Sequence, residues 1–135
     1  VISVVDGDTI KVVDEAGKKL NVRFAEIDAP EKKQPFGQAA RHYLDSHLKL
    51  NDYIVYLKVD SKDRWGRLIA WVYYDEEKTI DVNRLLIYKG HAWHYKAYSK
   101  DKTLAAWEQE ARNEKRGLWA SENPIAPWEW RKGKR

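Results

Sequence analysis

Two carboxylates stand three positions apart in the stretch IDAPE, where Asp28 and Glu31 flank Ala-Pro at the end of an apolar run. Pro30 fixes its own φ and pushes Ala29 toward extended geometry, so both acids sit on a stiff corner. Such a corner reads as a solvated turn, or as a place where one acid holds a cation and the other moves a proton. Two further segments carry related chemistry. In Asp6-Gly7-Asp8-Thr9 a glycine lets the backbone bend and turn one acid inward. That loop suits a hard divalent cation, calcium above all, and equally suits a hairpin turn. Arg23 precedes the corner, and Asp63-Arg64-Trp65-Gly66-Arg67 sets Arg67 just past a tight turn at the head of a strand.

Read together, these residues contain what phosphodiester hydrolysis requires. The charge of the scissile phosphate must be offset before a nucleophile approaches. A cation does part of this, and arginine forks do the rest in bidentate geometry. A positioned carboxylate orients water and takes its proton during attack. Single donors to a developing charge are worth ~3 kcal/mol.

Residues so far apart along the chain need a scaffold to gather them. VISVV and TIKVV are rich in β-branched residues and read as strands. LNVRFAEI alternates, with Leu20, Val22 and Phe24 on one face and Arg23 on the other. FGQAARHYLDSHLKL repeats apolar residues at helical spacing, from Phe36 through Ala40, Tyr43, Leu44, His47 and Leu48. YIVYLKVD and RLIAWVYY are a fourth and a fifth strand, TIDVNRLLIYKG a second helix ending at Gly90, and KDKTLAAWEQEARNEKRG a third closed by Gly117. HAWHYKAYSK reads as irregular, and the segment with Pro124 and Pro127 as coil. Five short strands with a helix between the third and fourth predict a small β-barrel of the OB-fold type with three helices, an α+β chain that is mainly barrel.

The 135 residues suit one domain spanning the whole chain, with a basic, Trp-rich extended tail of ~15 residues. There is no cysteine, which excludes disulfides and thiolate chemistry. No apolar run approaches the ~20 residues of a membrane span. With neither a signal peptide nor an initiating Met, Val1 reads as the start of a processed or trimmed chain. The 25 basic and 21 acidic residues are unevenly spread: Arg112 to Arg135 carry 7 basic and 3 acidic, the entire excess. The body is therefore not a general sponge for polyanions. The end WRKGKR adds salt-sensitive attraction to nucleic acid or is a disordered solubilising tail.

The order DGDT, VRFAEIDAPE, QPFGQAA, DRWGR and GLW…PWEWR resembles the staphylococcal nuclease (thermonuclease) family, in particular bacterial members that end in a Trp-rich tail. The likeness runs from about Val4 to Arg131. It implies an OB-fold barrel with three helices and calcium-dependent cleavage of DNA and RNA to products carrying 3′-phosphates. It also implies a secreted or periplasmic location; an enzyme that reads backbone more than bases should find single strands easier, and nothing in the sequence demands more than a monomer. Matched residue by residue, it makes Asp8, Asp28 and the carbonyl of Ala29 calcium ligands, with Asp6 behind them. Glu31 matches the general base or water-orienting carboxylate, and Arg23 and Arg67 the two phosphate-contacting arginines. Arg64 falls where a basic residue near a terminal phosphate is common. The family places two tyrosines near the nucleotide ring. Tyr98 matches the second, while the first falls on Lys96, or on Tyr95 if the register slips.

Other readings compete. Arg23 could serve only as a structural partner of Glu31. His91 and His94 stand three apart, but without a third nitrogen or sulfur ligand nearby they read as packed or surface imidazoles rather than a zinc site. Trp107, Trp119, Trp128 and Trp130 read as clamps for the C-terminal segment more than as base-stacking platforms. The alternative function is a nucleic-acid-binding OB module without catalysis. The intact set of Asp8, Arg23, Asp28, Glu31 and Arg67 argues against it. A nuclease that prefers magnesium is a third reading, since both ions take oxygen ligands.

Overall fold

A computed structural model describes residues 1–79 and 81–133. Its main sheet is built from β1 (Ser3–Asp6), β2 (Thr9–Val13), β3 (Lys19–Phe24), β5 (Tyr56–Lys62) and β6 (Leu68–Tyr73), in the order β1-β2-β3-β6-β5. All the pairings are antiparallel except β3 with β6, which is parallel. The α+β architecture of a five-stranded mixed sheet with helices is the one the sequence leads to. A second ladder joins two elements too short to read from pattern, β4 (Ile27–Asp28) and β7 (Trp93–His94). β7 lies inside the segment expected to be irregular.

Alternation decides which side of each strand is buried. Ile10, Val12, Val22 and Phe24 are buried in the main core, while Lys11, Lys19 and Asn21 face out. Helix α1 (Gly37–Lys49) adds Leu44 and Leu48 to that core, and α2 (Val82–Tyr88) adds Val82, Leu86 and Ile87. Phe36 is not part of the α1 stripe: it stands at the N-cap with φ 71° and is exposed. The fourth strand begins at Tyr56 rather than Tyr53, because Asp52 and Tyr53 both take left-handed φ and turn the chain first.

Helix α3 (Lys102–Asn113) ends before Gly117, which opens a 3-10 turn over Gly117–Ala120. Asp81 and Asp101 cap α2 and α3, and Arg84 joins the two caps through Asp81 Oδ2 and, at 2.9 Å, Asp101 Oδ2. Thr79 lies outside α2, and Ile80, also expected in that helix, lies outside the described residues. The C-terminal segment is not all coil: Pro127–Arg131 forms a short helix, α4, with Pro127 at its first turn. Lys134 and Arg135, which complete the expected tail, also lie outside the described residues.

Asn83 is fully buried and ties three elements together. Its Oδ1 accepts from Val72 N at 3.0 Å, and its Nδ2 donates to Ala25 O at 2.9 Å and Ala70 O at 3.3 Å. Removing it strands backbone groups away from water. Asn83→Ala is expected to lower unfolding free energy by about 3 kcal/mol, read from the urea midpoint in chelator. An unchanged midpoint would show that those backbone groups find other partners.

Candidate active site

The β2–β3 register sets Thr9 opposite Arg23, so Asp8, one residue earlier, comes beside the Arg23 side chain. Phe24 N also donates to Asp8 O at 2.9 Å. Gly7 is needed here for closeness rather than for bending. A Cβ at that position would stand 2.8 Å from the Ala40 Cβ and 2.9 Å from the Ala29 Cβ, and Gly7 is not among the left-handed glycines. After β3, Glu26 adopts φ 64° and reverses the chain into β4, which delivers Asp28 to the same place.

Arg23 is the hub. Its Nη1 donates to Phe24 O and Ile27 O, both at 2.9 Å, and lies 3.3 Å from Asp8 Oδ2. Its Nη2 donates to Asp28 Oδ1 at 3.2 Å. The partners of Arg23 are therefore Asp8 and Asp28, not Glu31. Asp8 also accepts from Ala29 N at 2.7 Å through Oδ2 and from Thr9 Oγ1 at 3.0 Å through Oδ1.

Glu31 lies on the loop between β4 and α1, and its backbone is held tightly. Its N–H donates to Gln34 Oε1 at 3.0 Å and its carbonyl accepts from Gln34 N at 2.9 Å. A Cβ on Gly37 would fall 1.8 Å from the Glu31 carbonyl oxygen, so only glycine lets α1 start this close. The Glu31 carboxylate is about one-third exposed. Asp28, by contrast, is 1% exposed.

The acid cluster carries more negative charge than Arg23 offsets. Burial, with the Asp8 charge adding to it, pushes the Asp6 carboxyl up to about 8. Burial also raises Asp8, but the Arg23 guanidinium, the bond from Asp6 and the Ala29 and Thr9 donors outweigh it and hold Asp8 low. Asp28 is pushed up to about 6 by burial, opposed by hydrogen bonds from Arg131 and reinforced by the Asp8 charge.

Arg131 is the residue that sequence reasoning missed. From the last turn of α4, its Nη2 donates to Asp28 Oδ2 at 2.6 Å and its Nη1 to Asp28 Oδ1 at 3.2 Å. Nη1 also donates to Glu31 Oε1, and Nη2 lies 3.5 Å from the Tyr95 hydroxyl. In the sequence Arg131 reads as part of the basic end WRKGKR; it is instead an ion-pair partner of both acids of the corner. The only signal for it was its place at the end of PWEWR, after a Pro-Trp pair able to dock.

Tyr95 and Tyr98 meet edge to face, with centroids 4.8 Å apart, and Tyr98 is largely exposed. Tyr95, not Lys96, is the tyrosine linked to the acids through Arg131. The DRWGR turn stands apart in its contacts. Arg67 Nε donates to Asp63 Oδ2 at 2.7 Å, and Arg64 stacks over the exposed Trp65 ring at 4.4 Å. Neither arginine has a described contact with Asp8, Asp28 or Glu31.

Among the described residues no three His, Asp or Glu side chains converge as a ready-made metal cage. Asp8 and Asp28 offer carboxylate oxygens around Arg23, and with Glu31 they put three acids beside the two guanidinium groups of Arg23 and Arg131. Those oxygens fit a hard divalent cation that completes its shell with water. The two histidines do not form a site. His94 is buried with Nε2 on Ser99 Oγ at 2.8 Å, and His91 stacks on Tyr43 at 4.2 Å.

Residues 21–121 match the family described as staphylococcal nuclease homologue. A relative named staphylococcal-like nuclease CAN1, from Arabidopsis thaliana, is 44% identical over 119 residues, 87% of this chain and 35% of its own length. The chain thus spans about a third of that plant protein. An uncharacterized endonuclease of Escherichia coli O157:H7 is 38% identical over 131 residues, 97% of this chain and 82% of its own. Another uncharacterized endonuclease, of Haemophilus influenzae, is 39% identical over 132 residues, 98% and 71%. The motifs, the sheet order and a match over most of the chain agree: this protein belongs to the staphylococcal nuclease homologue family.

Proposed function

We propose that the protein is a calcium-dependent nuclease that hydrolyses phosphodiester bonds of DNA and RNA with little regard for sugar or base. One observation carries this reading: two buried carboxylates, Asp8 and Asp28, are bridged by Arg23, and the more accessible Glu31 stands beside them. The endonuclease names of the relatives support it.

Asp8, Asp28 and the Ala29 carbonyl would hold the cation. When bound, calcium supplies positive charge to the phosphate and polarises a water. Glu31 orients that water and takes its proton. Arg23 spends Nη1 on three oxygens and Nη2 on one, which leaves Nε–H and a second Nη2 hydrogen for a phosphate oxygen. Arg67, freed from Asp63, would add a second fork. Tyr98 offers an exposed ring to unpaired bases, with Tyr95 packed beside it on Trp128, so single strands are favoured. The site draws on one chain, and the protein acts as a monomer.

Digestion of single- and double-stranded DNA and of RNA, in calcium, in magnesium and in chelator, tests the reading. Cleavage is expected with calcium, faster on single strands, with 3′-phosphate ends, and none in chelator. Equal rates in chelator would sink the cation; equal rates in magnesium would sink the preference for calcium.

A further inference from the structure

We propose that Arg131 is a positioning residue of this active site, a guanidinium bridge that fixes the Asp28 and Glu31 carboxylates relative to each other. The inference rests on the nuclease reading above and adds the C-terminal helix to the machinery.

The bridge spans about a hundred residues of chain and touches both acids with one planar group. Asp28 is gripped on both oxygens. Oδ1 faces Arg23 and Arg131, and Oδ2 faces, among the described residues, Arg131. That leaves the plane of the carboxylate little freedom. Glu31 is different, because its side chain is partly exposed and Arg131 is its described ion-pair partner. An unheld Glu side chain gains up to ~2 kcal/mol of rotamer freedom. A base that wanders cannot hold a water in line, and misplacement by about 1 Å costs on the order of a hundredfold.

The segment carrying Arg131 is built to stay in place. Gln34, whose own backbone and amide clamp Glu31, also donates through Nε2 to Ile125 O. Pro127 is buried. Trp128 lies parallel to the Tyr95 ring, with centroids 5.5 Å apart, and meets Trp93 edge-on at 5.4 Å. Tyr95 in turn donates its N–H to Glu26 O at 3.1 Å, at the bend that delivers Asp28. Gln34 thus touches the catalytic loop and the C-terminal segment at once, and Tyr95 does the same from the other side.

Arg131→Ala is expected to lower kcat on single-stranded DNA with calcium by about a hundredfold, with KM changed less than about threefold. Arg131→Lys should fare little better, because one ammonium cannot fork across two carboxylates. Guanidinium chloride at tens of millimolar should restore part of the rate to Arg131→Ala and nothing to the parent. A reading independent of turnover comes from melting in chelator. There guanidinium should raise the melting temperature of Arg131→Ala above that in equal sodium chloride, as a ligand of the vacated site does, and leave the parent unshifted. If Arg131→Ala does not fold, Arg131→Gln serves for the same comparisons. Unchanged or faster turnover, a loss confined to KM, full recovery by lysine, or no guanidinium effect on either rate or melting would each overturn the proposal. A parent protein that does not cleave at all would overturn the nuclease reading, and this proposal with it.

Discussion

Glu31→Gln is expected to cleave DNA about a thousandfold more slowly than the parent, with its melting temperature unchanged. The amide keeps the size of the carboxylate and an oxygen that can accept from Arg131, but it has no basicity with which to take a proton from water. General bases contribute about 10²–10⁴-fold, and a thousandfold corresponds to about 4 kcal/mol of barrier. The fold should not notice. The Glu31 side chain is partly exposed, and the bonds that shape its loop are made by backbone atoms to Gln34. The measurement is kcat on single-stranded DNA in saturating calcium, with a melting curve beside it. A variant that cleaves at the parental rate would remove Glu31 from the role of base.

Arg23→Ala should do damage of two kinds, and comparison with Arg67→Ala separates them. Arg23 is shared between two buried carboxylates and satisfies two carbonyls. Truncation leaves Asp8 and Asp28 facing each other, with Arg131 still paired to Asp28. Breaking a buried ion pair from one side costs about 3–5 kcal/mol. The urea midpoint in chelator should therefore fall markedly. Cleavage should fall by a hundredfold or more as well, since a donor aimed at developing charge is worth ~3 kcal/mol. Arg67 is one-third exposed, pairs with Asp63 and stacks loosely on Trp65. Arg67→Ala should slow cleavage on the same ~3 kcal/mol scale while leaving the midpoint almost where it was. An Arg23→Ala protein as stable as the parent would contradict the ion-pair geometry. An Arg67→Ala protein with parental turnover would confine the phosphate contacts to the other arginines.

Most of the scaffold could be read from the chain, because its strands and helices announce themselves by local pattern. Alternation placed Val22 and Phe24 inward and Arg23 on the other side, and the structure agrees. Helical spacing found Ala40, Leu44 and Leu48. Patterns failed where the cause is not local. The β4–β7 ladder has two residues a side, too few for any period. Glycine at 7 was read as a hinge, yet what demands it is the press of Ala29 and Ala40 from distant segments. Arg131 was hidden for the same reason. In a run of basic residues near the chain end, charge composition suggests a tail, and only the docking of Pro127 and Trp128 turns one of those charges inward. The pairing of Arg23 with Asp8, where the sequence offered Glu31 as a partner, depends on the β2–β3 register, which spacing alone does not fix.

The contact between Gly37 and the Glu31 carbonyl ties the packing of α1 to the placement of Glu31. Helix α1 rests on the hydrophobic interior through Leu44 and Leu48, while its first residue leans on the peptide of Glu31, the proposed base. Trimming either fully buried leucine would leave a cavity under the helix, and a relaxation of its first turn is expected to reach Glu31 through that contact. Such variants are expected to lose about 2–5 kcal/mol of stability and turnover together, so that a screen for heat tolerance would flag them as readily as a screen for activity.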